Sequence, residues 1–219
     1  MNKKAWALAL TVGLLGSGSA AQAELLDAGN GLVNDTVLDI CWVANASLSA
    51  AQLDGPATWD ALVTWADELV YAGYDDWRLA SLSVAADTTT GSTDTVVDCD
   101  TATKEDCRDN ELGYMYTNYL PGDYGVDKTG NQTVGDVTLT GIRDVYWSGT
   151  ENASNPDFAW RFGPFNGSQD SDRKGLRHYG WAVRPGQCRA APEPIPVVGA
   201  WGLGLLGLLL MVLARARLR

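Results

Sequence analysis

The stretch Thr58–Leu79, TWDALVTWADELVYAGYDDWRL, carries the clearest helical repeat in the chain. Apolar side chains recur every three or four positions, as they do on the side of a helix that lies on a core. These positions are Trp59, Leu62, Val63, Ala66, Leu69 and Val70. Thr58 can cap the start of the helix and Gly73 can end it. The repeat predicts one long helix packed on the core of the domain.

Short β-favouring runs lie on both sides of this helix. Before it, residues 31–44, GLVNDTVLDICWVA, are expected to form two small strands joined at Asn34-Asp35. Three aromatic-centred strands are expected near the end of the domain, at Val145–Ser148, Phe158–Phe165 and Tyr179–Arg184. The sequence FNGSQ at 165–169 predicts a hairpin loop. A small antiparallel sheet with one long helix packed on it is an α+β fold.

The middle of the chain has a different composition. Residues 84–110 are dominated by Thr and Asp, with Gly91 and Ser92 among them, which indicates a long surface loop. The sequence NELGYMYTNYL at 110–120 is expected to resume as a short helix. Six acidic residues in or beside the loop could supply oxygen ligands to calcium: Asp94, Asp98, Asp100, Glu105, Asp106 and Asp109. They lack the spacing of an EF-hand loop, so solvated surface is the favoured interpretation and no cofactor is expected.

The N-terminus has the composition of a secretory signal peptide. Lys3 and Lys4 precede an apolar run, and the small-residue triplet Ala21-Gln22-Ala23 follows it. Cleavage is expected between Ala23 and Glu24, so that 1–23 is the signal peptide. An N-terminal anchoring helix is the alternative, but the apolar run is shorter than the roughly 20 residues that a bilayer requires. We therefore expect the chain to be exported.

The C-terminus carries a second apolar segment. Residues 197–214 contain no charge and are long enough to cross a bilayer, and 215–219 contain three arginines. The positive-inside tendency places 215–219 in the cytoplasm as a basic tail and the domain at 24–190 outside. Residues 191–196 form the linker and the start of a sorting motif. A buried core helix is the alternative interpretation of 197–214.

The residues around this segment resemble a known class of signals. Ile195-Pro196 and Trp201-Gly202, followed by the apolar run and the arginines, are similar to the IPTL-CTERM class of bacterial C-terminal sorting signals. The resemblance implies an exosortase-type membrane sorting protease as a partner. It also implies that the inner membrane holds the chain at least transiently, before the protein is displayed or released.

The balance of charge excludes one class of partner. The chain has 16 basic and 27 acidic residues and a net charge of −11. Five of the basic residues lie in the two terminal segments, so the domain between them is more negative still. A nucleic-acid-binding protein needs basic groups against the phosphates, so no nucleic-acid partner is expected.

The chain has four cysteines, and an even number in an exported chain predicts two disulfides rather than a metal cluster. Three connectivities are possible. The favoured one pairs Cys99 with Cys107 and Cys41 with Cys188. In the loop-entropy model, the second of these bonds would stabilise the fold by about 4 to 5 kcal/mol before strain is counted.

Several motifs of the domain together resemble one exported bacterial family. They are GLVNDTVLDICWV, the helical stretch with WRLAS, NELGYMY, YWSGTE, AWRF and GWAVRPG. In this order they are similar to the Lcl C-terminal-like domain family, which is itself similar to C-type-lectin-like domains. The resemblance implies a compact α+β core with long loops, and the member that names the family is an adhesin domain that binds sulfated polysaccharide. Ala80 stands where the family usually has proline, and 84–110 corresponds to an insertion.

Candidate binding residues lie near the expected hairpin. Trp160 and Arg161 are interpreted as an exposed platform on which a sugar can stack, with Asn166, Gln169 and Lys174 as hydrogen-bond donors. Four other tryptophans are expected in the core: Trp59, Trp77, Trp147 and Trp181. A sulfated polymer would need Arg161, Arg173, Lys174 and Arg177 on one face.

No catalytic residue is predicted, because no motif for nucleophilic or metal-assisted catalysis is present. His178, the single histidine, is expected to be structural or exposed. The sequence predicts an exported, surface- or matrix-associated protein that is not an enzyme and binds glycan or another envelope polymer. One alternative is a polysaccharide-acting enzyme with paired carboxylates such as Asp75, Asp76 and Glu111. A structural matrix component is the other.

Overall fold

The computed structural model describes residues 25–82, 84–85, 95–96, 99–100 and 107–189. The expected signal peptide, the expected linker and sorting motif, the apolar segment 197–214 and the basic segment 215–219 lie outside these residues. Within the described ranges, no helix has the length and apolarity needed to cross a membrane.

The described residues form thirteen strands and three short α-helices. The strands are β1 Leu25–Gly29, β2 Leu32–Asp35, β3 Ile40–Val43, β4 Arg78–Leu79, β5 Val84–Ala85, β6 Thr95–Val96, β7 Gly130–Val134, β8 Val137–Ile142, β9 Tyr146–Glu151, β10 Phe158–Gly163, β11 Ser168–Arg173, β12 Tyr179–Gly180 and β13 Ala182–Pro185. The helices are α1 Leu48–Gln52, α2 Trp59–Asp67 and α3 Glu111–Tyr114, and a π-helical turn at Met115–Tyr119 follows α3.

Two larger sheets organise the fold. The first has the order β1-β2-β3-β13-β4 and is antiparallel throughout. The second has the order β11-β10-β9-β12, in which only the β9–β12 pair is parallel. β5–β6 and β7–β8 are separate antiparallel pairs. The fold is therefore α+β with mostly antiparallel sheets, as the sequence predicted.

The prediction of one long helix is wrong. α2 has nine residues and ends at Asp67, and Ala72 and Gly73 then take positive φ angles in a turn closed by hydrogen bonds between the backbones of Tyr71 and Tyr74. Leu69 is still buried, but it lies beyond the helix, and Val70 is 74% exposed. The apolar repeat continued past the helix because an irregular segment can also bury one side chain.

The start of α2 is also held differently from the prediction. Thr58 occupies the capping position, but its side chain makes no capping hydrogen bond. The backbone N–H of Trp59 instead donates to the carbonyl oxygen of Lys174, 3.0 Å away. A loop distant in sequence thus satisfies one of the free donors at the helix start.

The turn of the first hairpin lies after Asp35 rather than at Asn34-Asp35. β2 and β3 pair from Leu32 opposite Val43 to Asp35 opposite Ile40. The buried carboxylate of Asp35 accepts hydrogen bonds from the backbone N–H groups of Val37 and Leu38. It also accepts one from the hydroxyl of Tyr119 at 2.7 Å. Asp35 therefore closes the turn from inside the protein.

The strands of the last third are formed close to their predicted positions, with one addition. β9 and β10 overlap the first two expected segments, and the turn between β10 and β11 confirms the hairpin at 165–169. The third expected strand, Tyr179–Arg184, is instead divided into β12 of the second sheet and β13 of the first. Gly167 takes a φ of 78° in that turn. β11, SQDSDR, was not predicted, because it is polar throughout and has no alternation of apolar residues.

Aromatic residues make up much of the core. Trp59, Trp77, Trp147 and Trp181 are all buried, as predicted. The rings of Trp42 and Trp181 meet edge to face with centroids 5.0 Å apart. Burial of such large side chains stabilises a small domain strongly.

Both favoured disulfides are present. Cys41 of β3 is bonded to Cys188, just after β13, and Cys99 is bonded to Cys107. None of the four cysteines is free. The two bonds indicate an oxidising compartment.

Candidate functional site

A cleft of about 430 Å³ opens between α2 and the strands β4 and β9. Its lining comes from these three elements and the segment after β4: Trp59, Val63, Asp67, Trp77, Arg78, Leu79, Ser81, Gly149 and Thr150. Two of the sequence motifs, W-R-L and Y-W-S-G-T, therefore converge here. We call this cavity the tryptophan cleft.

The apolar lining of the tryptophan cleft comes from Val63, Leu79 and the small exposed parts of Trp59 and Trp77, which are 8% and 3% exposed. Trp59 donates its Nε1 hydrogen to the carbonyl oxygen of Ser148 at 2.8 Å, and Trp77 donates to that of Tyr74 at 3.1 Å. The ammonium group of Lys174 lies 4.2 Å from the centroid of the Trp59 ring. Since both indole N–H groups are satisfied within the protein, the rings offer the cleft only apolar surface.

The guanidinium group of Arg78 lies at the rim of the cleft, where it is paired with Glu111. Arg78 donates two hydrogen bonds to the carboxylate of Glu111, at 2.7 and 2.6 Å, and a third to the carbonyl oxygen of Leu79 at 3.1 Å. The hydrogen bonds that Arg78 donates to Glu111 raise the pKa of Arg78 above its usual range. Glu111 also accepts the backbone N–H of Ser81 at 2.8 Å, so the pair is fixed to the segment after β4.

Arg78 keeps part of its hydrogen-bonding capacity. A guanidinium group has five N–H donors, and the three contacts above use at most three of them. The other two have no partner among the residues that the structure describes. Because 44% of the side chain is exposed, these donors can reach a ligand.

The wall opposite α2 is held by main-chain and hydroxyl contacts. The Thr150 hydroxyl accepts from the backbone N–H of Leu82 and donates to its carbonyl oxygen at 2.7 Å. The N–H of Gly149 donates to the carbonyl of Ala80. A Cβ atom at position 149 would lie 3.2 Å from the carbonyl oxygen of Leu79, so glycine permits this close approach.

The residues predicted to bind a ligand lie elsewhere. Trp160 is only 8% exposed and packs in the core with Phe162, so the expected exposed platform is not formed. Its Nε1 has no hydrogen-bond partner in the described part of the chain. Side chains alternate along a strand, so Arg161 points to the opposite face of β10. The two adjacent residues therefore cannot act on one ligand.

The polar members of the predicted set are used within the protein. Arg161 bonds to Asp172 at 2.7 Å and to Asp170 at 3.4 Å. Lys174 bonds to Glu151 at 2.7 Å. The Gln169 side chain accepts from Asn110, and Asn166 accepts from the backbone N–H of Ser168 inside the turn.

The four basic side chains proposed for a sulfated polymer are likewise engaged. Arg161 and Lys174 bind carboxylates, Arg173 lies over the ring of Phe158, and Arg177 donates to the carbonyl oxygen of Pro56. Carboxylates therefore compensate the charges of Arg161 and Lys174, whereas Arg173 and Arg177 have a ring and a carbonyl oxygen as partners.

His178 is partly buried next to Asp172. Its Nε2 lies 3.0 Å from the carboxylate, and its ring lies 4.6 Å from that of Trp147. Burial lowers the pKa of His178, and the bond to Asp172 opposes that shift. The contacts are consistent with the structural role expected from the sequence.

Two of the carboxylates named for the enzymatic alternative are held by different arginines. Asp76 binds Arg184 through two hydrogen bonds of 2.6 and 2.8 Å, which lower its pKa, whereas Glu111 binds Arg78. Most of the acidic loop lies outside the described residues. Among those described, no group of three potential metal ligands is brought together.

The sequence named Trp59, Trp77 and Glu111 but did not connect them with Asp67, Arg78 and Thr150. The sequence signal that could have connected them is that Arg78 and Thr150 each belong to one of the family-like motifs, WRLAS and YWSGTE. Comparisons with family models, curated proteins and solved structures find no match to this chain.

Proposed function

We propose that this chain is an exported, surface- or matrix-associated binding protein that is not an enzyme and recognises a glycan in the tryptophan cleft. The observation that carries the proposal is the combination of an apolar lining, to which Trp59, Val63, Trp77 and Leu79 contribute, with a polar rim made by Asp67, Arg78 and Thr150. Few precisely placed polar groups around an apolar floor are typical of a small-molecule site.

A sugar ring matches this arrangement because it has an apolar face of C–H groups and an edge of hydroxyls. The apolar face can lie against the apolar lining of the cleft, and the hydroxyls can bond to Arg78 and Asp67. An uncharged glycan is favoured over a sulfated one. The chain is strongly acidic, and two of the four basic side chains that could gather sulfate groups, Arg161 and Lys174, are already paired with carboxylates.

The two disulfides and the apolar termini support export. We further propose a C-type-lectin-like arrangement and membership of the Lcl C-terminal-like family, because two of the motifs that suggested them, the helical stretch with WRLAS and YWSGTE, meet at the tryptophan cleft. The C-terminal signal would route the protein to the surface through an exosortase-type protease, with Ile195, Pro196, Trp201 and Gly202 as the recognised residues.

The test is a glycan-binding screen of the purified full-length chain with two matched variants on α2. Asp67→Asn changes a cleft residue, and Asp60→Asn makes the same change at an exposed position outside the cleft. We expect binding that Asp67→Asn weakens about tenfold and Asp60→Asn leaves unchanged. Absence of binding to any neutral glycan would contradict the proposal and favour a structural matrix component.

A further inference from the structure

A second cavity adjoins the tryptophan cleft. It measures about 580 Å³ and is more polar. Its lining comes from the first hairpin turn, the segment after β4, the region around α3 and the end of β13: Val37, Leu38, Asp39, Ile40, Arg78, Ser81, Arg108, Asp109, Glu111, Pro185 and Gly186. We call it the polar groove.

Arg78 and Ser81 line both cavities. Arg78 therefore lies at the boundary between them. The bidentate bond to Glu111 and the bond from Ser81 to the same carboxylate fix the guanidinium there. A ligand group at this boundary would meet a donor whose position is set before binding, which reduces the entropy lost on association.

We propose that the tryptophan cleft and the polar groove are consecutive subsites for one uncharged oligosaccharide of at least two sugar units. Arg78 donates hydrogen bonds to hydroxyls near the linkage between the units. This inference rests on the proposed function and specifies its ligand as a chain rather than a single sugar.

The charges of the groove favour an uncharged chain. Glu111 compensates the positive charge of Arg78, and Asp39 and Asp109 outnumber Arg108, so the lining has a net negative charge. A uronic acid or a sulfated sugar would place its own negative charge beside these carboxylates. Hydroxyl groups can instead donate to the carboxylates and accept from Arg78.

Calorimetric titration of the full-length chain with size-graded oligosaccharides tests the inference. The probes are cello-, chito- and manno-oligosaccharides of one to six units. We expect affinity to rise about tenfold or more from one unit to two or three and then to level off, because the second unit adds hydrogen bonds in the groove. Equal affinity for one unit and for four overturns the inference and leaves the proposed function standing. No binding at any length in the three series, together with a negative screen, overturns both.

Two variants separate the subsites. Asp39→Asn changes the groove alone, at a position where asparagine tolerates the φ of 52°. It should weaken binding of longer fragments more than that of single sugars, whereas Asp67→Asn should weaken all lengths equally. A uniform effect of Asp39→Asn counts against separate subsites.

Arg78→Lys should reduce the gain in affinity with length, because lysine lacks the planar fork of donors. Arg184→Lys is the matched control. Arg184 makes an equivalent bidentate bond to Asp76 and lines neither cavity, so the length dependence should persist. Thermal unfolding of both lysine variants shows whether each is folded. If the Arg78→Lys protein is folded and its affinity still rises with oligosaccharide length as in the wild type, the role of Arg78 is contradicted.

Discussion

The tryptophan cleft and the β10–β11 hairpin both combine tryptophan with arginine, but they use these residues in opposite ways. In the cleft, Trp59 and Trp77 line the same cavity as Arg78. The guanidinium group of Arg78 is held by Glu111, which is 33 residues away in the sequence. In the hairpin, Trp160 faces the core, while Arg161 bonds across the same hairpin to Asp170 and Asp172 on the other face.

The difference shows how pairing decides what an arginine can do. Two carboxylates on the neighbouring strand surround Arg161, so the group is more than neutralised locally and its side chain is only 19% exposed. Arg78 has one carboxylate partner and a side chain that is 44% exposed. Only the second arrangement leaves an oriented donor at the edge of a cavity.

The largest effect is expected from Trp160→Ala. Removal of this buried ring should lower the free energy of unfolding by about 3–5 kcal/mol. Glycan affinity of the folded protein should not change. Phe165→Ala in the same hairpin, where the ring is 40% exposed, is the control and should cost far less. Urea unfolding measures both changes. Loss of binding in a folded Trp160→Ala protein would restore the hairpin as the site.

A slightly smaller effect is expected from Lys128→Met. The buried ammonium of Lys128 donates to the carbonyl oxygens of Tyr116, Leu120 and Gly122, and its backbone N–H donates to Pro164 beside the hairpin. Methionine fills similar space but leaves three carbonyls without this donor, which should cost about 3 kcal/mol. Thermal and urea unfolding report the change.

Lys174→Met is the comparison for that variant. Lys174 has one carboxylate partner, which is 53% exposed, and its ammonium group lies over the Trp59 ring. Among the described residues that group bonds to no carbonyl oxygen, so replacement of Lys174 should cost about 1 kcal/mol. Equal losses for the two lysines would show that the three carbonyls do not depend on Lys128.

Double-mutant cycles compare the two kinds of ion pair directly. We expect a coupling free energy of about 1–2 kcal/mol for Arg78–Glu111, because the bond is bidentate and Glu111 is nearly buried. Lys174–Glu151 should give about 0.2–1 kcal/mol, since Glu151 is 53% exposed. Unfolding of alanine single and double variants provides both values. A larger coupling at the surface pair would reverse the comparison.

The smallest effect concerns pH. Burial raises the pKa of Asp35 above its ordinary value of 3.8. The Asp35 carboxylate therefore binds a proton more tightly in the folded protein than in the unfolded chain. As pH falls through the raised pKa towards about 3.8, the wild type should gain stability relative to Asp35→Asn. Unfolding free energies measured across this range test the sign.

Asp76 provides the opposite case. The hydrogen bonds from Arg184 lower its pKa, so its contribution is present above 3.8 and is lost as pH falls below that value. The wild type should therefore lose stability relative to Asp76→Asn on acidification. Parallel curves for wild type and both variants would show that neither carboxylate is linked to folding.

Local patterns made much of the fold predictable. The turn at 165–169 follows from Asn166-Gly167, and the short helix after Asn110 follows from a side chain that accepts the N–H of Gly113. The burial of Trp59, Trp77, Trp147 and Trp181 was predictable from their positions in the helix and the motifs and from their bulk. The disulfide pairing was favoured from cysteine number and spacing, and the structure contains it.

The candidate site was less predictable because its parts come from distant segments. The sequence does not show that Glu111 reaches Arg78, or that Gly149 lets β9 approach Leu79 closely. It also placed Trp160 and Arg161 together, because the face that a strand residue occupies depends on which sheet covers it. The polar strand β11 gave no signal that β10 lay inside a sheet.

The sequence alone determined the α+β class, the disulfide chemistry, the acidic charge and the apolar character of both termini, because these properties depend on composition and short-range pattern. Only the tertiary structure decided the length of α2, the burial of Trp160 and the position of Arg78 between two cavities. Those features depend on free energies of packing and pairing between residues far apart in the chain, which become defined only when the sheets assemble.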